Sequence, residues 1–171
     1  MDTHFNPVEP TALNENYLGL IKNDWMLLTA GNPNRYNTMT ANWGTIGFLW
    51  NRPVAVCFIR PQRYTFEFAE KHDYFTLSFF DPGYREMLDF CGTHSGRDID
   101  KAAHTGLKII ETDKGNVTFE QARLVLECNK LYADFLRPGG FIMDEIARRN
   151  YPGKDYHKFY IGEITGCYVK K

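Results

Sequence analysis

Between Asn37 and Thr65 the chain places side chains that can hold a ligand at both ends of an apolar run. The first part, Asn37-Thr38-Met39-Thr40-Ala41-Asn42-Trp43-Gly44, is rich in hydroxyl and amide groups. Its backbone N–H groups can face a planar heterocycle carrying several acceptors, and Gly44 and Gly47 allow close backbone approach. At the far end, Arg60-Pro61-Gln62-Arg63-Tyr64-Thr65 sets two guanidiniums three residues apart beside an amide and a hydroxyl. Paired arginines can grip a phosphate bidentately, where a lysine acts mostly as a point charge. Taken singly, these pieces have ordinary explanations as a turn, a core strand and a solvated surface. Taken in this order, they point to a site for a flat, phosphorylated ligand.

A second anion-binding set is offered by Thr93-His94-Ser95-Gly96-Arg97-Asp98, a loop feeding a helix expected over residues 99–105, capped by Asp98 and closed by Gly106. Ser95, the N–H groups around Gly96 and the Arg97 guanidinium would converge at that helix start. An ordinary N-capped surface helix fits the same residues. Among the 5 histidines only His157 stands where an accessory site role is expected. His4, His72, His94 and His104 show no metal-ligand spacing with one another or with the cysteines, so no metal is expected.

The elements that must position these groups read mostly as strands. Residues 25–29 form a short strand, Ala30-Gly31-Asn32-Pro33-Asn34 a dense turn signal, and residues 36–50 the returning strand of a hairpin. Val54-Ala55-Val56-Cys57-Phe58-Ile59 reads as a strand buried on both faces. A short helix over residues 64–72, with Tyr64 and Phe68 on one face, leads to a strand at 74–80. Asp81-Pro82 then starts a second helix with the apolar stripe Tyr84, Met87, Leu88 and Cys91, and Gly92 is expected at C′. Residues 107–135 read as an antiparallel meander, Arg137-Pro138-Gly139-Gly140 as a break, 141–149 as a short helix over a pocket or partner, and 155–164 as a closing strand. Residues 1–14, broken by Pro7 and Pro10, read as an arm lacking a core face.

With 171 residues the chain fits one domain spanning 1–171. Lys and Arg total 20 against 21 Asp and Glu, so no electrostatic footprint for nucleic acid or an anionic membrane is present. No apolar run reaches the roughly 20 residues of a membrane span and no signal-peptide pattern opens the chain, so a soluble, cytoplasmic protein is expected. Cys57, Cys91, Cys128 and Cys167 are widely spaced, without a C-x-x-C pair, and read as reduced, mostly buried redox spectators. Aromatics at 15% can fill a barrel, with some surplus for a ligand or partner surface.

The order NTMTANWGTIGFLW, PVAVCFIRPQRYT, YFTLSFF, FCGTHSGRDIDK and DYHKFYIGEI resembles the flavin reductase-like family of FMN-binding split barrels, near its flavoredoxin branch. The resemblance covers nearly the whole chain. It implies a mainly β fold, an antiparallel Greek-key six-stranded barrel with short helices, and an FMN cofactor that carries the chemistry. It implies ring contacts from Thr40, Ala41, Asn42 and Trp43, and phosphate or ribityl contacts from Arg60, Gln62, Arg63, Thr65, Ser95 and Arg97. The family often has Asp directly followed by His near the last strand, whereas Tyr156 stands between Asp155 and His157 here. The function implied is an NAD(P)H-dependent flavin reductase-like oxidoreductase, a homodimer with FMN near its interface. The alternatives are a non-enzymatic FMN electron carrier fed by a redox protein and a small β-barrel interaction module without a cofactor. No G-x-S-x-G, H-E-x-x-H or G-x-G-x-x-G pattern competes with these readings.

Overall fold

Six consecutive residues, Met26 to Gly31, are buried without a break. Only a strand with neighbours on both sides and cover on both faces satisfies such a run. The computed structural model describes residues 1 and 3–171, so Asp2 of the expected N-terminal arm lies outside the described residues. In chain order the elements are β1 (Phe5–Pro7), α1 (Tyr17–Gly19) running into a π turn at Leu20–Asp24, β2 (Met26–Asn32), β3 (Arg35–Ala41), β4 (Gly44–Leu49) and β5 (Arg52–Ile59). Then follow α2 (Tyr64–Lys71), β6 (Tyr74–Phe79), α3 (Arg85–Thr93), α4 (Lys101–Thr105), β7 (Ile109–Glu111), β8 (Val117–Phe119), β9 (Leu124–Phe135), α5 (Asp144–Asn150) and β10 (Lys158–Lys170).

The main sheet runs β3-β2-β6-β9-β10-β5-β4, with β1 attached to β10, and its ladders are antiparallel. β3 and β4 stand at opposite ends of that order, yet only residues 42–43 separate them in the chain. Met26 pairs with Ala41 at the end of β3 and Gly44 pairs with Cys57 at the start of β4. Taken as one bent strand, β3 and β4 therefore border β2 on one side and β5 on the other, which closes a six-stranded barrel. The fold is mainly β, antiparallel, with short helices, as the sequence predicts. Asn42 and Trp43 form the corner where the barrel closes.

The β2–β3 turn confirms the local reading of Ala30 to Asn34. The Asn32 side chain accepts from the N–H groups of Asn34 and Arg35, both at 3.1 Å, and Gly31 takes a φ of +116° in which a Cβ would strike the Arg35 carbonyl. α2 falls where expected, with the Tyr64 and Phe68 rings edge to face at 5.0 Å.

Four expectations are corrected. The N-terminal segment has a core face: Phe5 is 1% exposed, packs with Phe80, Phe119 and Tyr168, and pairs with Lys170. One aromatic in a polar context carries no periodicity, yet its burial is worth roughly 1.5 to 3 kcal/mol and holds the segment on the barrel. Gly92 lies inside α3, where a Cβ would meet Thr40 at 3.3 Å, so close packing against β3 rather than a helix end demands glycine. α4 begins two residues later than predicted, capped by Asp100, which accepts from the Ala103 N–H at 3.0 Å, and it ends at Gly106 with φ of +71°. The expected meander is split: β7 and β8 form a separate ladder laid over β6, where the Thr76 hydroxyl donates to the Val117 carbonyl at 2.6 Å. The buried Glu127 carboxylate draws that hairpin in by accepting from the Asn116 amide at 2.7 Å and from the Thr112 hydroxyl.

Candidate flavin site

Two neighbouring cavities follow β3, one lined from Asn37 and the other from Met39 to the Asn42-Trp43 corner. The first, about 200 Å³, gathers Gln62 and Arg63 from the turn that leads into α2, Thr65 from its first turn, Ser95 and Gly96 from the loop after α3, and Lys101 from α4. Asn37 binds this group together, its amide donating to the buried Thr65 hydroxyl at 2.7 Å. The backbone at Gly96 passes so near Asn37 that a Cβ there would collide with the amide oxygen. The loop can take that path only with glycine.

Lys101 supplies what the sequence reading missed. It is 5% exposed, and its ammonium donates to the Thr38 and Cys91 carbonyls, each at 2.8 Å, with no carboxylate partner among the described residues. Burial pulls its pKa down to about 8, countered by Cys91 and reinforced by the nearby Arg63. Arg63 is also held by a neutral group, donating to the Gly92 carbonyl at 2.7 Å, and burial lowers its pKa. Two half-buried or buried cations satisfied only by carbonyl dipoles leave a net positive field in the cavity, and that field favours an anion. One sequence signal could have exposed Lys101: a lysine in the first turn of a helix opposes the helix dipole, so another requirement must hold it there.

Arg97 does not add free charge to this set. It pairs with Glu67, lies 4.6 Å over the Tyr64 ring and donates to the Gln62 carbonyl at 3.4 Å, and it faces a wider cavity of about 410 Å³ next door. Ser95 turns its hydroxyl oxygen to the Arg97 N–H at 3.2 Å, stabilising the loop.

The second cavity, about 230 Å³, is lined by Thr40, Ala41, Asn42, Trp43, Phe58, Arg60 and His157. Ala41 is buried, while Asn42 and Trp43 are exposed at the corner. The Thr40 hydroxyl donates to the Leu88 carbonyl, which commits its proton to α3. Trp43 lies 5.0 Å from the His157 ring at 43°, giving the cavity an aromatic wall. His157 is 8% exposed, and its Nδ1 lies 2.9 Å from the Tyr151 hydroxyl. Its pKa is lowered to about 4, by burial first and the Arg60 charge second, against a smaller opposing pull from Asp155.

Arg60 and Arg63, expected to share one phosphate, face different cavities. Arg60 forms an ion pair with Asp155, donates to the Asn150 carbonyl at 2.9 Å and covers the Tyr151 ring at 5.3 Å. The Gln62 amide donates to the same Asp155 carboxylate at 2.7 Å. Asp155 thus pairs with Arg60 and Gln62 rather than with His157, and it links the two cavities. Thr40, Ala41, Asn42, Trp43, Arg60 and His157 come together, as do Gln62, Arg63, Thr65 and Ser95, while Arg97 stands apart.

No described helix is long and apolar enough to cross a membrane. Among curated proteins, no match to this chain was found. Solved structures with the same fold include an FMN-binding protein from Thermus thermophilus, at 22% identity and a TM-score of 0.66, covering 95% of this chain and 77% of that one. A flavoredoxin from Methanosarcina acetivorans is 20% identical with a TM-score of 0.67, covering 96% and 77% of the two chains. The NADH:FAD oxidoreductase of Streptomyces globisporus C-1027 is 16% identical with a TM-score of 0.62, covering 86% and 77%. At these identities the likeness concerns the fold alone. The family is carried by the sequence itself: residues 18–171 match the flavin reductase like domain, and the chain belongs to that family.

Proposed function

We propose that this chain is a single FMN-binding domain that works as an NAD(P)H-dependent flavin reductase-like oxidoreductase. The observation that carries the reading is the pair of cavities along β3, one with the carboxylate-free cations Lys101 and Arg63, the other walled by Trp43. Phosphate fits the first and the flavin ring the second, with the ribityl chain passing the Asp155-Gln62 bridge. Lys101 and Arg63 would bind the phosphate, with Ser95, Thr65 and Gln62 beside it. Trp43 and the backbone at Thr40, Ala41 and Asn42 would orient the ring, with Arg60 and His157 at its edge.

When bound, FMN supplies the redox chemistry, taking a hydride from NADH or NADPH. The protein's share is to bind, align and shield. The half-exposed Trp43 leaves one side of the ring cavity open to a donor. The four cysteines are buried, which suits a cytoplasmic protein with reduced thiols. Exposed Tyr132 and Phe135 on β9 offer an apolar flank for a homodimer, which light scattering at micromolar concentration would show.

The test is to titrate purified protein with FMN, FAD and riboflavin, then mix the loaded form anaerobically with NADH or NADPH in a stopped-flow instrument. FMN should bind most tightly, and its absorbance should bleach with one of the nucleotides. Tight binding without bleaching would identify an electron carrier served by a redox protein. Failure of all three flavins to bind would overturn the reading.

A further inference from the structure

Tyr151 directly follows α5 and His157 directly precedes β10, and the loop between them folds back to bring phenol and imidazole together. Both are buried, at 4% and 8% exposure. The imidazole is fixed from several sides. Trp43 lies 5.0 Å away, Phe58 meets it edge-on at 6.4 Å, the Tyr151 ring stands nearly perpendicular at 5.5 Å, and the His157 carbonyl accepts the Leu136 N–H at 2.9 Å. The side chain has little freedom to turn.

Proton accounting then assigns the tautomer. The Tyr151 hydroxyl has one hydrogen-bond partner among the described residues, Nδ1 of His157. If Nδ1 carried the proton and donated to the hydroxyl oxygen, the hydroxyl's own proton would be left buried without an acceptor, an arrangement that folded proteins avoid. The hydroxyl therefore donates to Nδ1. The imidazole's proton falls on Nε2, the ring nitrogen with no partner among the described residues, on a side chain that lines the Trp43 cavity. Among the described residues the charged groups around the pair are Arg60, 5.3 Å over the Tyr151 ring, and Asp155, which is paired to Arg60, so no carboxylate among them is left to draw a second proton onto the imidazole.

We propose that Tyr151 is a positioning residue that fixes His157 as the neutral tautomer protonated at Nε2, making that nitrogen a hydrogen-bond donor to an acceptor atom on a ring ligand in the Trp43 cavity. The tautomer stands on the apoprotein's geometry; only the identity of the ligand rests on the flavin reading. Such a donor selects a ring with a carbonyl oxygen or an unprotonated nitrogen at that edge and disfavours one presenting N–H there.

Long-range proton–nitrogen NMR spectra of the ¹⁵N-histidine-labelled protein read the tautomer directly, first without ligand and then with riboflavin or FMN. In wild-type apoprotein His157 should be protonated at Nε2 and unprotonated at Nδ1, and adding riboflavin should shift the Nε2 resonance. Tyr151→Phe, which keeps the ring and its packing, should give a mixture of tautomers and weaken riboflavin and FMN alike by roughly three- to tenfold. A proton on Nδ1 in wild-type protein, or an unchanged tautomer in Tyr151→Phe, overturns the proposal. An Nε2 resonance indifferent to a bound flavin overturns the donor role. Should neither flavin bind while the tautomer is as expected, the flavin reading fails and the Tyr151–His157 pairing stands.

Discussion

The two ends of the site hold cations in opposite ways. At the Trp43 end, Arg60 meets the Asp155 carboxylate, and the pair carries little net charge into its cavity. At the other end, Lys101 and Arg63 are held by the carbonyls of Thr38, Cys91 and Gly92, which satisfy hydrogen bonds without cancelling charge. Arg60 and Arg63 stand three residues apart in one motif, and their electrostatic roles diverge because of what folds against them. A basic residue's value to an anion depends on its partners as much as on its own charge.

That contrast can be broken most sharply at Lys101. Lys101→Met keeps much of the buried volume and removes the charge, so FMN affinity should fall about ten- to a hundredfold while riboflavin, lacking the phosphate, changes less than about threefold. Equal losses would place the phosphate elsewhere. Arg63→Ala should show the same selectivity at about tenfold. Arg60→Ala should instead cost FMN and riboflavin equally, within about threefold of each other, since it removes a neutralised pair from the Trp43 end. Parallel titrations of both ligands into folded variants make the comparison, and an FMN-selective loss in Arg60→Ala would erase the distinction drawn here.

The pH dependence sharpens the same difference through its signs. Lys101 is lowered from 10.5 to about 8 by burial first, so between those pH values the unfolded chain binds more protons than the folded one. Apoprotein stability should therefore rise with pH across that window. FMN affinity should fall across the same window as the ammonium is lost, and Lys101→Met should flatten both trends. His157, lowered from 6.5 to about 4, also binds fewer protons folded than unfolded, so it withdraws stability as pH falls from 6.5 towards 4. Denaturant titrations and FMN binding at matched pH values separate the two.

The smallest effect is expected at the cysteines. Burial raises Cys91 to about 11 and Cys167 to about 12, and pushes Cys57 and Cys128 up as well. Such thiols are poor nucleophiles. Single Cys→Ala variants should keep flavin reduction within about tenfold of wild type, roughly 1.4 kcal/mol in barrier, and alkylation should need unfolding. A larger loss in a folded, flavin-loaded variant would draw a thiol into the site.

What the sequence shows well is what neighbours in the chain decide. The Asn32–Arg35 turn, the Tyr64–Phe68 helix face, Gly106 at a helix end and the β5 strand were all legible, because each depends on backbone preference or a short period, although Val56 and Phe58 leave one face of β5 half-buried where both were expected to be covered. The misses depend on distant partners. Phe5 is buried by strands near the other end of the chain, Gly92 answers to Thr40, and Arg60 is neutralised by a carboxylate 95 positions away. The candidate site divides likewise. The β3 and α2 segments were visible as chemistry, whereas the burial of Lys101 and the Tyr151–His157 pairing exist only once the barrel has closed.

That closure has a cost borne at one point. Because a single bent run borders both β2 and β5, β3 and β4 each already keep one unpaired edge, and cutting the chain between Asn42 and Trp43 would free those two sheet ends from each other. Unpaired margins of that kind template association with other chains. A ligand seated in the cavity that Asn42 and Trp43 line would cover that corner and shield it from proteases.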